Sequence, residues 1–209
     1  MQEREGIVTI VDDDASIREG VGSLLRSAGW KVETFKSAEE FLAHPRADVP
    51  NCVLLDLQLP ELSGLDLQRW MIEAKLDIPI VFITGHGNIP ASVQAIKAGA
   101  IEFLTKPFDE QQLFNAIAEA MELDRNAREH RAELRELGAR YDSLTPRERE
   151  VMREVVSGLL NKQVASKLEI SEFTVKVHRG QVMRKMHADS LADLVRMADK
   201  LGIRSPKNS

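Results

Sequence analysis

Along the first 120 residues the apolar positions switch between two periods. Short runs rich in Val and Ile at 7–11, 52–55, 80–83 and 101–104 are almost continuously apolar, the pattern of parallel strands covered on both faces. A weaker run at 31–35 reads as a further strand, and 16–27, 38–43, 65–74 and 91–98 carry apolar residues at helical spacing. Strand–helix alternation repeated five times predicts an α/β domain built on a doubly wound, five-stranded parallel sheet. From Asp109 the pattern is helical without a break to about Leu137, and Leu113, Ala116, Ala120, Leu123, Ala127, His130, Leu134, Leu137 and Tyr141 fall at steps of three and four. Ala and His are weak seam residues, so two readings stand. Either the last helix of the first domain runs on as a charged linker, or the stripe dimerises or docks.

The tail is written in helix-start signals. Thr145-Pro146-Arg147-Glu148 is a capping box with Pro at the first helical position. Asn161 and Ser171 are candidate caps of two further helices, and Ser190-Leu191-Ala192-Asp193 forms another box. Four short helices in about 65 residues predict a small all-α domain. Within it, a helix at 162–168, a turn at 169–171 and a helix at 172–186 have helix-turn-helix spacing, the second helix being the one that enters a major groove. Val175, Val182 and Met186 fall on the face predicted to pack inward, with Lys176, Val177, Gly180 and Arg184 opposite. Lys or Arg can bond guanine or phosphate, Val can meet a thymine methyl, and Gly180 suits close backbone approach.

Charge sharpens this division. The 209 residues carry a net charge of −5, but residues 1–143 hold 15 Lys+Arg against 25 Asp+Glu and residues 144–209 hold 13 against 8, giving −10 and +5. Only the tail is suited to a polyanion. Aromatic residues at 5% disfavour a stacking surface for single strands. No apolar run approaches a membrane span, and the charged start is unlike a secretory signal. A lone Cys52 excludes an internal disulfide framework and a multi-cysteine zinc site, and fits core packing in a reducing, cytoplasmic setting.

In doubly wound sheets functional groups gather beyond the carboxyl ends of the strands. That rule selects Asp12, Asp13 and Asp14, then Asp56, Thr84 and Lys106. Clustered carboxylates are costly without a cation, and hard oxygen ligands suit magnesium, which takes one or two carboxylates plus a phosphate oxygen. Asp56, standing apart from the acidic pair, is the candidate nucleophile for an aspartyl phosphate, with Lys106 contacting the phosphoryl oxygens. Asp14 is expected to cap the first helix.

The segments Ile10-Val11-Asp12-Asp13, Leu54-Leu55-Asp56-Leu57-Gln58-Leu59-Pro60, Ile83-Thr84-Gly85-His86-Gly87 and Lys106-Pro107-Phe108 resemble, in order, the motifs of the receiver domain of two-component response regulators, over about residues 5–122. The resemblance implies a flavodoxin-like fold and phosphorylation of Asp56 by a sensor histidine kinase. It implies Mg2+ held by Asp13, Asp56 and the backbone carbonyl of Gln58, with Asp12 acting through water. Thr84 and Phe103 would form the switch pair, Phe103 standing where tyrosine is frequent, and the Lys106–Pro107 bond would be cis. His86 is read as a solvated loop residue, with an influence on phosphoryl hydrolysis as the alternative.

The tail is similar to the LuxR-type DNA-binding domain through Leu144-Thr145-Pro146-Arg147-Glu148-Arg149-Glu150-Val151, Asn161-Lys162-Gln163-Val164-Ala165 and Ile170-Ser171-Glu172-Phe173-Thr174-Val175-Lys176-Val177-His178-Arg179. By that likeness Lys176 and Val177 face bases of promoter duplex DNA, with Thr174, Arg179 and Lys185 nearer phosphates. Phe173 stands where a polar residue is common and Gly180 where a larger one is. His178 is as well suited to helix packing as to DNA contact.

Together these readings divide the chain into a receiver at 1–122, a helical linker at 123–143 and a LuxR-type helix-turn-helix domain at 144–209. They predict a FixJ-like, NarL/LuxR-family transcription factor that dimerises on phosphorylation and acts with RNA polymerase. It would not be an enzyme beyond accepting phosphate and slowly losing it. A magnesium phosphohydrolase is the competing class, but it commonly needs an acid two residues after the nucleophile, where Gln58 stands. A DNA regulator indifferent to phosphate is the third reading.

Overall fold

The computed structural model describes residues 4–45, 47–85 and 89–203. Five strands, β1 (Ile7–Val11), β2 (Lys31–Phe35), β3 (Asn51–Asp56), β4 (Ile80–Thr84) and β5 (Glu102–Thr105), alternate with helices α1 (Ala15–Ser27), α2 (Ala38–Ala43), α3 (Gly64–Glu73) and α4 (Ile89–Lys97). Then follow α5 (Glu110–Asp142), α6 (Pro146–Val156), α7 (Asn161–Leu168), α8 (Glu172–Met186) and α9 (Leu191–Lys200). The sheet is entirely parallel, in the order β2-β1-β3-β4-β5.

The near-continuous apolar strands are those covered on both faces: every residue of β3 and β4 is buried. Their side chains alternate between two cores, as a pleated strand requires. Cys52, Leu54, Val81 and Ile83 pack with Leu25 of α1 and with Leu113, Ile117 and Met121 of α5. Val53, Leu55, Ile80 and Phe82 pack with Phe41, Leu67, Met71 and Ala95 of α2, α3 and α4. The run at 31–35 reads weakly because β2 is an edge strand, half wet along its length. The last strand lies one residue beyond the predicted run: Ile101 donates its N–H to Ile80 before the ladder of β5 begins at Glu102.

Contacts divide the chain into two units after Arg128, within α5 and inside the segment 123–143 read as a linker. The helix continues past the predicted end near Leu137 to Asp142, and its stripe splits by task. Leu113, Ala116 and Ala120 are buried in the first unit, Leu123 is exposed, and Leu137 and Tyr141 join the core of the second.

That second core is closed by α6, α7, α8 and α9 through Val151, Met152, Val164, Val175, Val182, Met186 and Leu194. Three predicted caps form: Thr145 and Glu148 make the reciprocal box, while Ser171 and Ser190 accept from the N–H groups of Thr174 and Asp193. The cap predicted at Asn161 does not. Leu160 is the N-cap and Asn161 the first helical residue, with the Gln163 side chain accepting from the Leu160 N–H at 2.8 Å. The Asn161 amide oxygen instead accepts from Arg179 at 3.0 Å, so it is spent across the helix pair rather than on its own helix end.

Candidate functional site

Parallel pairing in register aligns Val11 with Leu55, Asp56 with Ile83, and Thr84 with Thr105. The residues at and just after these pairs therefore meet at one edge of the sheet. Asp12 is fully buried, Asp56 nearly so, and Asp13 exposed. One oxygen from each of the three lies within 4.8 Å of the others. Lys106 reaches in from beyond β5, its Nζ 2.6 Å from Asp12 Oδ2 and 3.2 Å from Asp56 Oδ2. Gln58, Asp14 and Gly85 line the same opening. Gln58 donates its N–H to Asp56 Oδ1 at 3.2 Å, and Asp14 caps α1 by accepting from the Ser16 N–H at 2.8 Å.

Among the described residues the electrostatics are those of an anion-rich site with one ammonium, Lys106, paired to its carboxylates. Burial raises the Asp12 carboxyl above its ordinary range, against the lowering effects of its bonds to Lys106 and to the Asp14 N–H. Burial alone would pull the Lys106 ammonium down. Its hydrogen bond to Asp12 and the charges of Asp12 and Asp56 outweigh that and raise it. Three carboxylates facing one ammonium leave an uncompensated negative charge, and all three donors are hard oxygens. This is a donor set that fits magnesium.

Thr84 is buried at the end of β4, and its carbonyl accepts from the Lys106 N–H at 2.7 Å. The Lys106–Pro107 bond is cis. Phe103 is half-buried, its ring 6.1 Å from that of Phe82, and it opens onto a groove with Ile89, Val93 and Ile96 of α4. His86 lies outside the described residues.

Three supporting side chains escape sequence reasoning. Arg18 of α1 donates to the Asp12 carbonyl at 2.7 Å, holding the acidic turn. Gln68, buried in α3, donates to the Ala95 carbonyl of α4 at 3.1 Å. Asp124, buried on α5, accepts from the Asn51 N–H at 2.8 Å and from Arg128 Nε at 2.7 Å, tying the start of β3 to the helix. The only available signal is a polar residue on a core-facing helical position.

In the second unit α8 presents Lys176, Val177, Gly180 and Arg184 to solvent, with Val175, Val182 and Met186 buried as predicted. The other three candidates are tied into the domain. Thr174 meets the Ser171 hydroxyl at 2.7 Å, and Arg179 binds Asn161. Lys185 is 2.6 Å from Glu148 Oε2 and also donates to the Ser143 carbonyl. Burial alone would raise the Glu148 carboxyl, but the bonds from Lys185 and Thr145 hold it below its ordinary range. Lys185 therefore neutralises a buried carboxylate rather than offering a free charge. His178 is half-buried.

Residues 8–118 match the family described as the response regulator receiver domain, and residues 142–198 match the luxR family of bacterial regulatory proteins. The chain belongs to the response regulators. This response regulator is 49% identical to Nodulation protein W of Bradyrhizobium diazoefficiens over 95% of its own length and 88% of the relative. It is 44% identical to the transcriptional regulatory protein FixJ of Rhizobium meliloti over 91% of its length and 94% of that chain. Among solved structures, response regulator StyR shares 48% identity with a TM-score of 0.86, covering 94% of this chain and all of that one. Full-length FixJ from B. japonicum shares 38% at a TM-score of 0.56, covering 98% and 100%. The response regulator thus joins a receiver sheet to a LuxR-type DNA-binding domain. Among its described residues no helix is long and apolar enough to cross a membrane.

Proposed function

We propose that this response regulator is a promoter-binding switch operated by an aspartyl phosphate at Asp56, formed in the cytoplasm by a sensor histidine kinase. The observation carrying this reading is the meeting of Asp12, Asp13 and Asp56 with a single ammonium, Lys106, on one rim. An Asp56 carboxylate oxygen attacks the phosphorus of a phosphohistidine. The P–N bond breaks, its electron pair returns to the imidazole nitrogen, and that nitrogen takes a proton from solvent. Lys106, already held by Asp12 and Asp56, swings little to meet the arriving phosphoryl oxygens. Asp13, Asp56 and the Gln58 carbonyl would hold Mg2+, with Asp12 acting through water. The ion supplies positive charge against the phosphoryl oxygens. Gln58 offers no acid or base, which supports a slow acceptor over a phosphohydrolase that turns over.

The Thr84 hydroxyl bonds the new phosphoryl group, and Phe103 repacks against the α4 groove beside it. Two receiver states with different affinity for a second copy are enough to link phosphate to dimerisation, and so to paired half-sites on duplex DNA beside RNA polymerase. Lys176, Val177, Gly180 and Arg184 face the bases and backbone there.

The test is phosphorylation by acetyl phosphate with Mg2+, followed by operator binding and light scattering. Wild type acquires label, dimerises and binds more tightly, while Asp56→Asn does none of these. Normal labelling of Asp56→Asn at another residue overturns the site. Equal operator affinity of wild type and Asp56→Ala under phosphorylating conditions overturns the switch.

A further inference from the structure

On α8, Phe173 is 76% exposed and Val177 47%, the two most exposed large apolar side chains of that helix. At roughly 100° per residue, Phe173, Val177, Gly180, Lys176 and Arg184 share an arc of about 100°, with Phe173 diametrically opposite the buried Val175 and Val182. Gly180 sits mid-helix on that arc, and a Cβ placed there would meet nothing within 4 Å. A mid-helix glycine costs about 1 kcal/mol against alanine, and nothing among the described residues of the domain requires it. An exposed phenylalanine and an unexplained glycine on the same wet face both point outward.

We infer that Phe173 is a specificity-determining residue that, with Val177, reads the 5-methyl groups of neighbouring pyrimidines in a DNA major groove, Gly180 letting the helix backbone approach. This rests on the helix-turn-helix reading above and extends it to a residue and a base chemistry. The cations beside the strip, Lys176 and Arg184, are both exposed and suit a polyanion, so duplex DNA is the occupant that matches both chemistries. Residues four apart on a helix stand about 6 Å apart along its axis, against about 3.4 Å per base step. Phe173 and Val177 therefore address methyl groups one or two steps apart. Neither side chain can hydrogen-bond, so the discrimination is thymine over cytosine through the methyl group alone.

The experiment uses the full chain activated with beryllofluoride. Operators are selected from random duplex DNA, and single thymines are then replaced by uracil, which removes only the methyl. Losses of about three- to fivefold are expected at each of two positions, the size of one buried methyl group. Phe173→Ser abolishes the thymine/uracil difference at one position and retains it at the other. Gly180→Leu weakens every sequence without lowering the thermal midpoint of the domain, since its added side chain meets no neighbour. Wild type that binds uracil and thymine operators equally, or Phe173→Ser that keeps both differences, overturns the inference while the DNA-binding reading survives. Failure to recover any preferred sequence overturns both. Phe173→Ser that binds as wild type but lowers transcription in vitro assigns the strip to a protein partner and overturns the inference.

Discussion

Replacing Lys106 with Met removes the one ammonium from the acidic rim while keeping most of the side-chain volume. Its Nζ stands 2.6 Å from a fully buried Asp12 and 3.2 Å from Asp56. At an effective dielectric constant near 20 the nearer pair alone is worth roughly 6 kcal/mol of attraction. The hydration that lysine surrenders offsets much of this, and breaking a buried pair typically costs about 3–5 kcal/mol. The Lys106 side chain is 16% exposed, so water screens part of the loss, and about 2–3 kcal/mol at pH 7 without divalent metal is the expected cost. At about 4 °C per kcal/mol the midpoint of the receiver transition falls by roughly 8–12 °C.

The pH dependence follows from two raised pKa values. Lys106 is raised above its ordinary 10.5, so its stabilisation is complete at neutral pH and disappears only as pH rises past its folded value. Asp12 is raised above 3.8, so its contribution is fully present in acid and is lost as pH rises through its folded value. As pH falls, Asp12 takes its proton earlier than an ordinary aspartate and then no longer needs the ammonium. The penalty of Lys106→Met therefore shrinks in acid and is partly reversed by Mg2+ at neutral pH. Thermal unfolding of the full chain by circular dichroism, at pH 4 and 7 with and without Mg2+, reads all three effects. A midpoint unchanged at pH 7, or lowered equally at both pH values, refutes the reasoning.

Three further outcomes follow from the same geometry. A Cβ on Gly64 would lie 2.3 Å from the Asp56 carbonyl oxygen, so Gly64→Ala costs about 2–4 kcal/mol in urea unfolding and slows acetyl phosphate labelling, because the turn beside the acceptor must shift. Asp124→Ala strips the Asn51 N–H and the Arg128 Nε of their acceptor, leaving Arg128 its second carboxylate partner, Asp48; denaturant titration reads a loss of about 2–3 kcal/mol in the first unit, with the rim chemistry nearly intact. Lys185→Met leaves Glu148 buried without its ammonium; because the Glu148 carboxyl is held low, the stabilisation exists above its ordinary 4.5 and fades as pH drops, so the second unit loses about 1–2 kcal/mol at pH 7 and less near pH 3.

Much of this molecule is legible in one dimension, and the reason is local. A strand buried on both faces must be apolar throughout, so β3 and β4 announce themselves, whereas the edge strand β2 only whispers. Parallel order then brings every strand end to one rim, which is why Asp12, Asp56, Thr84 and Lys106 can be picked from sequences far apart. The wet face of α8 follows in the same way from helical period, because Val175, Val182 and Met186 mark the dry one.

Periodicity reports whether a position is wet or dry, and says nothing of which charge stands across from it. That is why the bonds of Lys185 to Glu148 and of Arg179 to Asn161 cannot be read from the sequence. It is also why Asn161 reads as a cap while its amide serves a neighbouring helix, and why Arg18 and Asp124 go unnoticed. The order of elements, the two cores and the acidic rim were determined by the chain's own pattern of polarity. The pairing of each buried or half-buried charge was decided only by tertiary structure, because it depends on how helices distant in sequence pack side by side.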